Sequence, residues 1–423
     1  MILTKFGKNW IIGASILNVV LVVSILILTF YNAPAITHSI IPHAPHVYAM
    51  TEQNTFWKYQ CVDTMKTSRD KARAWVGLSD LQDRVDKEMK AIYELGANCA
   101  AIDTPYDPEF LPYLKTWVQG ARSYNLNVWF RGNFAGWEKW FDYAKLSDTN
   151  SFLIKTSTFI SENKDIFRDN DIFTAAPEAE NGGPFNQVEV NEYPAYRKFL
   201  IDEKSTMDKS FSEIDKKITT DWLSMNGGLA KRMYDAKTIN ALGKAVSLDH
   251  YIKDTNQMSE FINYFYNNFG AKVSIGEFGA PIPDINGNMT NAEQAEFINK
   301  LFQQLTKEKD KLSGINYWTL YDSSTALLNE DYTHKASYDV LKKYYSPTIV
   351  KGSVLNNDKD PVANVEIKFD NGYSTKTNNN GDYNILIPAE DTNIHVIKNG
   401  KEQLSNLISG ATKRIIIQDY TVN

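Results

Sequence analysis

Short apolar runs alternate with amphipathic segments between about residues 51 and 347. Runs of this kind are typical of buried parallel strands, and the segments between them are typical of helices. The predicted strands are 59–64, 99–103, 128–132, 172–176, 219–225, 245–251, 272–278 and 315–320. Repeated strand-helix units over roughly 300 residues predict an α/β fold of the (β/α)8 TIM-barrel type. A doubly wound sheet is disfavoured because it needs fewer strands and a phosphate-binding loop that the sequence lacks.

The predicted helices have one apolar face. Apolar residues recur every three or four positions in two clear cases, which are Leu81, Val85, Met89, Ile92 and Leu95, then Ala295, Ile298, Leu301, Phe302 and Leu305. This spacing places each set on one side of a helix. Thr290 and Glu293 stand at the start of the second helix in the spacing of a capping box.

An uninterrupted apolar segment lies near the N-terminus, at residues 10–30, and contains no charged residue. At ~1.5 Å rise per residue such a helix spans about 30 Å, the thickness of a bilayer core. Lys5 and Lys8 precede the segment, whereas no Lys or Arg follows it before Lys58. The positive-inside rule therefore predicts a single-pass cell-membrane protein with a cytoplasmic N-terminus. The alternative is a cleaved signal peptide, but the segment is long for one.

The pattern divides the chain into four parts. Residues 1–31 are the predicted cytoplasmic stub and transmembrane anchor, and residues 32–50, with Pro34, Pro42 and Pro45, are an extended extracellular linker. Residues 51–347 form the predicted barrel. From 348 to 423 the chain changes to short β runs separated by Asn, Asp and Gly, which predicts a small all-β sandwich.

Charge and cysteine content exclude several classes of protein. Lys and Arg number 45 against 51 Asp and Glu, giving a net charge of −6, which disfavours nucleic acid as a partner. Cys61 and Cys99 are too few for a disulfide framework and lie in no zinc-binding motif, so we expect two buried thiols. His residues are scattered, with three in the linker, which disfavours a metal hydrolase. We expect no cofactor and no bound metal.

Glutamates stand at the ends of two predicted strands. Glu178 and Glu180 follow the fourth strand, and Glu277 lies near the end of the seventh. A carboxylate beside an apolar strand is costly unless it is paired or used. In a TIM barrel the active site forms at the carboxyl ends of the strands. These glutamates are therefore candidate catalytic residues.

Glutamates on the fourth and seventh strands also give the chain a family likeness. Residues 59–345 resemble the clan A glycoside hydrolases of the family 5-like cellulase superfamily. The resemblance rests on ELGAN at 94–98, IGEFG at 275–279 and Tyr317-Trp318. It implies retaining hydrolysis of a glycosidic bond, with Glu277 as the nucleophile and Glu178 as the acid and then the base. That mechanism needs two carboxyl groups ~5 to 5.5 Å apart.

Two positions depart from this family. The Asn that usually precedes the strand-4 acid and binds the sugar 2-hydroxyl is absent, because Pro177 stands there and Asn181 is the nearest amide. Glu180 therefore remains an alternative acid/base. The frequent strand-2 Arg is also missing, and Arg131 on the third strand is a candidate for its ion-pairing role.

Polar and aromatic residues near the remaining strand ends complete a predicted sugar pocket. Candidate substrate-binding residues are Asp103, Tyr106, Arg131, Asn133, Trp137, Asn181, Trp222, Asn226, His250, Tyr251 and Trp318. The three tryptophans in this set are equally compatible with core packing or with stacking on a sugar. Tyr251 is expected to orient the carboxylate of Glu277. Trp129, inside the third strand, is assigned to the core.

The C-terminal segment has a separate resemblance. Gly352, residues 361–365 and residues 380–383 match elements of the carboxypeptidase-regulatory-like, or prealbumin-like, domains. Such domains are generally spacers or weak binders, so the resemblance implies a structural appendage.

The sequence as a whole predicts a membrane-anchored extracellular retaining glycosidase acting on an oligo- or polysaccharide. Its partners would be the carbohydrate and, through residues 10–30, the lipid bilayer, with no obligate protein partner. The alternative is a catalytically inactive carbohydrate-binding or adhesion protein on a barrel scaffold, which the missing Asn before Glu178 favours.

Overall fold

The computed structural model describes residues 55–186 and 188–422 of the 423-residue chain. Its larger part is one eight-stranded parallel sheet in the order β4-β3-β2-β1-β8-β7-β6-β5. The strands are β1 Tyr59–Asp63, β2 Cys99–Ile102, β3 Asn127–Phe130, β4 Ile172–Phe173, β5 Ser224–Asn226, β6 Ala245–Asp249, β7 Lys272–Phe278 and β8 Leu312–Tyr317. A parallel bridge between Ile172 and Thr219 joins the β4 and β5 edges. The predicted (β/α)8 barrel is confirmed, although the predicted fifth strand is regular only at its end.

Helices connect the strands and cover the outside of the barrel. The α-helices are α1 Met65–Ser68, α2 Ala72–Trp75, α3 Leu81–Leu95, α4 Leu111–Ser123, α5 Ala135–Glu138, α6 Thr149–Glu162, α7 Tyr193–Glu213, α8 Gly227–Met233, α9 Ala236–Ala241, α10 Thr255–Phe269, α11 Pro283–Asn286, α12 Asn291–Leu305 and α13 Ala336–Tyr345. The predicted apolar face of α3 is buried, and the Thr290–Glu293 capping box opens α12. Gly96 ends α3 at φ 93° and faces Ser346 so closely that a Cβ would lie 1.8 Å from its Oγ. No other residue fits this junction.

A compact cluster fills the interior of the barrel. Its members are Tyr59, Cys61, Cys99, Ala101, Trp129, Ile172 and Trp222. Trp129 is fully buried there, as predicted. Cys61 and Cys99 are neighbours in the β1–β2 register and form a disulfide, so the expectation of two free thiols is wrong. Strand pairing brings residues 38 positions apart face to face, which their sequence positions alone do not reveal.

The C-terminal part forms two small sheets that pack around an apolar core, as predicted. Its strands are β9 Thr348–Leu355, β10 Glu366–Phe369, β11 Ser374–Lys376, β12 Asp382–Ile387, β13 Asp391–Lys398, β14 Lys401–Ser409, β15 Ile415–Ile417 and β16 Tyr420–Thr421. One sheet has the order β11-β10-β13-β14, and the other has the order β12-β9-β15 with β16 also pairing β9. The buried side chains include Val350, Ile367, Phe369 and Ile394.

This sandwich packs against the end of the barrel where the strands begin. Tyr373 bonds Thr306 through their hydroxyl groups at 2.6 Å, and its ring lies 6.1 Å from that of Phe56. Thr306 precedes β8 and Phe56 precedes β1. Ala389 also donates a backbone hydrogen bond to Lys343. The sandwich is therefore joined to the amino-terminal face, away from the carboxyl ends of the strands.

The predicted anchor and linker lie outside the described residues. Within residues 55–186 and 188–422, no helix is both long and apolar enough to cross a membrane. The proposed span at 10–30 therefore stays a prediction.

Candidate active site

Three carboxylates meet at the carboxyl ends of β4, β6 and β7. Glu178 follows β4, Asp249 ends β6 and Glu277 lies near the end of β7. One oxygen of each lies within 4.8 Å of the other two. The structure thus brings together the two glutamates that the sequence singles out, and it adds an aspartate between them.

Arg131 follows β3 and is the positive centre of this site. Its guanidinium lies 2.6 Å from a carboxylate oxygen of Glu277, 2.8 Å from Asp249 and 3.1 Å from Asp103. A fourth carboxylate, on Asp63 at the end of β1, lies 3.8 Å away. All five side chains are nearly inaccessible to solvent. One buried cation thus contacts acids at the ends of four different strands, and Glu277 is among them.

A glycine allows these groups to approach one another. A Cβ at Gly276 would lie 2.3 Å from Oδ1 of Asp249, so any larger residue would displace that carboxylate. The pairing of β6 with β7 shifts register just there, which places Asp249 opposite Glu277. The three carboxylates are close enough to share a cation, but Arg131 already contacts two of them.

The backbone of Glu178 adopts a left-handed conformation at φ 46° and ψ 55°. Its N–H donates to the carbonyl of Ser224, which ties the β4 loop to β5. The amide of Asn181 donates to Oε2 of Glu178 at 3.0 Å. These contacts fix the position of the Glu178 carboxylate at the carboxyl ends of the strands. Asn181 therefore binds the side chain of Glu178 itself.

The carboxyl group of Glu178 favours the protonated form. Burial of this group at the carboxyl ends of the strands raises its pKa well above the ordinary glutamate value. The nearby charges of Glu277 and Asp249 raise this pKa further, while Arg131 opposes them. Burial likewise raises the pKa of Asp249 to about 8, against the pull of Arg131. Glu178 therefore meets the requirement for a proton donor near neutral pH.

Glu180 lies in a different environment. Its Oε2 accepts a hydrogen bond from the Tyr196 hydroxyl at 2.6 Å, and its Oε1 accepts one from the backbone N–H of Asn226 at 2.7 Å. The residue is 9% exposed. Both oxygens are occupied by the protein, so Glu180 joins the β4 loop to α7 and β5, whereas Glu178 lies beside Glu277.

Tyr251 and Trp318 form an aromatic wall beside Glu277. The Tyr251 hydroxyl donates to Oε2 of Glu277 at 2.7 Å, which is the contact that its predicted orienting role requires. The Tyr251 and Trp318 rings meet edge to face at 5.8 Å between centroids, and both are half-buried. The Lys66 ammonium lies 5.7 Å from the Trp318 ring centre. Trp318 thus contacts the tyrosine that bonds Glu277.

Other predicted polar contacts face elsewhere. The ring of His250 packs on Phe261 of α10 with centroids 4.0 Å apart, on the outer side of the strand. Its burial lowers its pKa to about 4, so it is neutral. Asn226 caps α8 with its side chain and is exposed. Asn133 is fully buried after β3. His250 donates its backbone N–H to the carbonyl of Glu277 at 2.8 Å, but its ring lies away from the carboxylates of the glutamate pair.

Three aromatic residues predicted to bind substrate lie in the core instead. Trp222 is 1% exposed and fills the barrel interior against Trp129. Trp137 is equally buried and stacks on Phe199. Tyr106 stacks on Phe173 and donates to the carbonyl of Thr174. A sugar cannot reach these rings, so their assignment to substrate binding is corrected.

Sequence reasoning misses three acidic residues of the site, which are Asp63 and Asp249 at strand ends and Glu138 on α5. The rule that identifies Glu277, a carboxylate ending an apolar strand, applies equally to Asp63 and Asp249. Glu138 lies beside the β4 loop, where a Cβ at Gly182 would come within 2.8 Å of its Cγ. Burial raises the pKa of Glu138 to about 7. No sequence motif marks this residue.

Similarity searches find fold-level likenesses only. No family model and no curated protein sequence matches the chain. Solved structures similar to it include the Parabacteroides merdae beta-glucuronidase, at 14% identity and TM-score 0.45 over 86% of this chain and 48% of that one. A fungal beta-1,4-galactanase has 14% identity and TM-score 0.49 over 68% and 99% of the two chains. An endo-beta-1,4-glucanase from Xanthomonas axonopodis pv. citri has 11% identity and TM-score 0.47, over 68% of this chain and 98% of that one.

The chain therefore corresponds to about half the length of the glucuronidase. All three neighbours are glycosidases. Their TM-scores lie below 0.5, so the likeness concerns the fold alone.

Proposed function

We propose that this protein is a retaining glycoside hydrolase that cleaves O-glycosidic bonds in an oligo- or polysaccharide. The observation that carries the proposal is the separation of at most 4.8 Å between carboxylate oxygens of Glu178 and Glu277. Retaining enzymes hold their two carboxyl groups ~5 to 5.5 Å apart, whereas inverting enzymes need ~6.5 to 9.5 Å to admit a water molecule. The spacing here supports direct attack by one carboxylate on the sugar.

Glu277 is the proposed nucleophile. Arg131 lies against one of its oxygens and the Tyr251 hydroxyl bonds the other, so the carboxylate is held in a fixed orientation. It attacks the anomeric carbon and forms a glycosyl-enzyme ester. Glu178 donates its proton to the leaving oxygen in that step. It then removes a proton from the water that hydrolyses the ester.

The rival proposal is a binding protein that has lost activity. The absent Asn before Glu178 favours it, because one contact to the sugar 2-hydroxyl is missing. The closeness of Glu178 to Glu277 supports the enzyme, since a binder has no need to bury two acids together.

A hydrolysis screen on a panel of glycans separates the two proposals. The fragment beginning at Thr51 is compared with its Glu178→Gln, Glu277→Gln and Glu180→Gln variants. We expect the first two variants to lose at least about 10³-fold in kcat/KM, while Glu180→Gln retains activity because its side chain has a structural role. If the Glu277→Gln variant hydrolysed glycans at the wild-type rate, the enzyme proposal would be wrong. Proton NMR of the first anomer released then tests retention.

The proposed location is the cell surface, with residues 10–30 as the membrane anchor. The charge asymmetry around that segment supports this topology. The Cys61–Cys99 disulfide also supports it, because disulfides persist in oxidising compartments. Protease treatment of intact cells is the test. Digestion of the barrel without lysis is expected, and complete protection would disprove the location.

A further inference from the structure

A cavity of about 440 Å³ lies at the junction of the barrel and the sandwich. It is lined by Asp339, Lys342, Lys343, Ser346, Ala389, Gly410, Ala411, Thr412, Lys413 and Arg414. The Oγ of Ser346 donates to the carbonyl of Leu95, which lies just before β2. The cavity is therefore on the amino-terminal face of the barrel. The proposed catalytic cleft is on the other face.

Positive charge dominates the lining of this cavity. Four cationic side chains line it, against one acid, Asp339. Lys343 pairs with Glu390 at 3.3 Å. In the described part of the chain, Lys342, Lys413 and Arg414 have no ion pair with a carboxylate. The chain as a whole carries a net charge of −6, so the positive charge of the cavity lining is opposite in sign to the charge of the whole chain.

The four cations come from two separate elements. Lys342 and Lys343 lie in the last turn of α13, where the helix dipole favours cations. That effect does not account for Lys413 and Arg414, which lie in the turn between β14 and β15. Two parts of the fold thus bring cations to one cavity. The cations repel one another, which is unfavourable for the folded state when no anion is bound.

The turn that carries Lys413 and Arg414 is fixed in place. Arg414 donates to the backbone carbonyl of Ser346. The Oγ1 of Thr348 lies 2.8 Å from the carbonyl oxygens of both Gly410 and Lys413. These bonds attach the backbone of the turn and the Arg414 guanidinium to the end of the barrel before any ligand binds.

We propose that this cavity binds a phosphate-bearing ligand. Its volume lies within the ~300 to 1,000 Å³ range of small-ligand sites. Lys and Arg side chains supply the charge-assisted hydrogen bonds that phosphate oxygens accept. A neutral sugar would leave these cations uncompensated. The ligand is either a free phosphate compound or the glycerol phosphate group of a lipid or polymer.

The test measures ligand binding by the full chain in detergent, using calorimetry at low salt. The probes are inorganic pyrophosphate and glycerol 3-phosphate, which represent the two sources. Lys342→Gln/Lys413→Gln removes two charges, and Lys342→Glu/Lys413→Glu reverses them. Lys368→Gln, at an exposed position on β10, is the matched control.

We expect at least one probe to bind the wild type and the control, and to bind both double variants at least about tenfold more weakly. The probe that binds more tightly identifies the source of the phosphate. Hydrolysis of glycans should be unchanged in every variant, which separates this proposal from the catalytic one. The proposal is wrong if neither probe binds, or if the double variants bind as tightly as the control.

Discussion

Arg131 illustrates how single residues create the site. It is buried with four carboxylates, and one guanidinium cannot neutralise four negative charges. Burial raises the pKa of Asp63 to about 6 and that of Asp249 to about 8. At neutral pH Asp249 and Asp103 therefore favour the neutral, protonated form, which leaves more of the positive charge of Arg131 to Glu277.

The Tyr251 hydroxyl gives the first prediction at this scale. Tyr251→Phe removes one hydrogen bond to a charged carboxylate but keeps the ring against Trp318. We expect kcat/KM to fall about 10- to 100-fold, with no change in melting temperature. Tyr321→Phe is the control, because that hydroxyl donates to the backbone carbonyl of Glu330 instead. Equal effects in both variants would contradict the orienting role.

Glu178 gives a second prediction. The negative charge of Glu277 raises the pKa of Glu178, so Glu277→Gln should lower that pKa. The shift can be followed by carbon-13 NMR titration of labelled Glu178 in the variant and in the wild type. Asp284→Asn, on the exposed side of α11, should leave the titration unchanged. An unchanged pKa of Glu178 in Glu277→Gln would show that the two carboxyl groups do not interact.

At the scale of secondary structure, the periodicity of apolar residues predicts which strands and helices form. It does not predict where the side chains near strand ends point. It predicted every barrel strand and the capping of α12 by Thr290, because burial of one face dictates these patterns. The pattern does not reveal that Trp222 is a core residue, because it lies two residues before β5, where the direction of a side chain depends on closure of the barrel. The pairing of Cys61 with Cys99 likewise depends on strand register.

Helix α7 supports the β4 loop through a buried acid, and this gives a third prediction. Glu203 is fully buried and accepts a hydrogen bond from the backbone N–H of Ala176 at 2.9 Å. Burial raises its pKa from 4.5 to about 8. The folded state therefore holds a proton that the unfolded state releases above about pH 4.5. Its contribution to stability is complete below that pH and decreases as the pH rises to about 8.

Glu203→Gln should remove this pH dependence, because the amide does not titrate. We expect its melting temperature, relative to that of the wild type, to increase between pH 5 and pH 8. The measurement is calorimetry across that range. Glu213→Gln, at the exposed end of α7, serves as the control. A difference from the wild type that stays constant with pH would contradict the buried protonated state.

On the scale of the whole molecule, the barrel and the sandwich share a packed interface. Tyr373 reaches from the sandwich to Thr306 and Phe56 of the barrel. The sequence correctly predicted two folded parts, but it gave no indication of this contact, since the pairing residues lie far apart along the chain. A C-terminal domain that served only as a spacer would not need this packed contact with the barrel.

Tyr373→Ala should therefore destabilise the barrel as well as the sandwich. It removes a ring contact and a buried hydroxyl pair, and we expect a loss of about 1–3 kcal/mol in the free energy of unfolding. Calorimetry should show one transition that moves to lower temperature. Tyr383→Phe, within the sandwich alone, is the comparison. Separate transitions, with only the sandwich affected, would show that the two parts unfold independently.

The placement of the sandwich also bears on how the protein can be handled. Its contacts lie at the amino-terminal ends of the strands, and the glutamates lie at the carboxyl ends. Immobilising the protein through a tag on an exposed sandwich residue such as Lys368 should therefore leave the cleft facing the solution. A column prepared in this way would present the glutamates to long insoluble chains as openly as to short soluble ones.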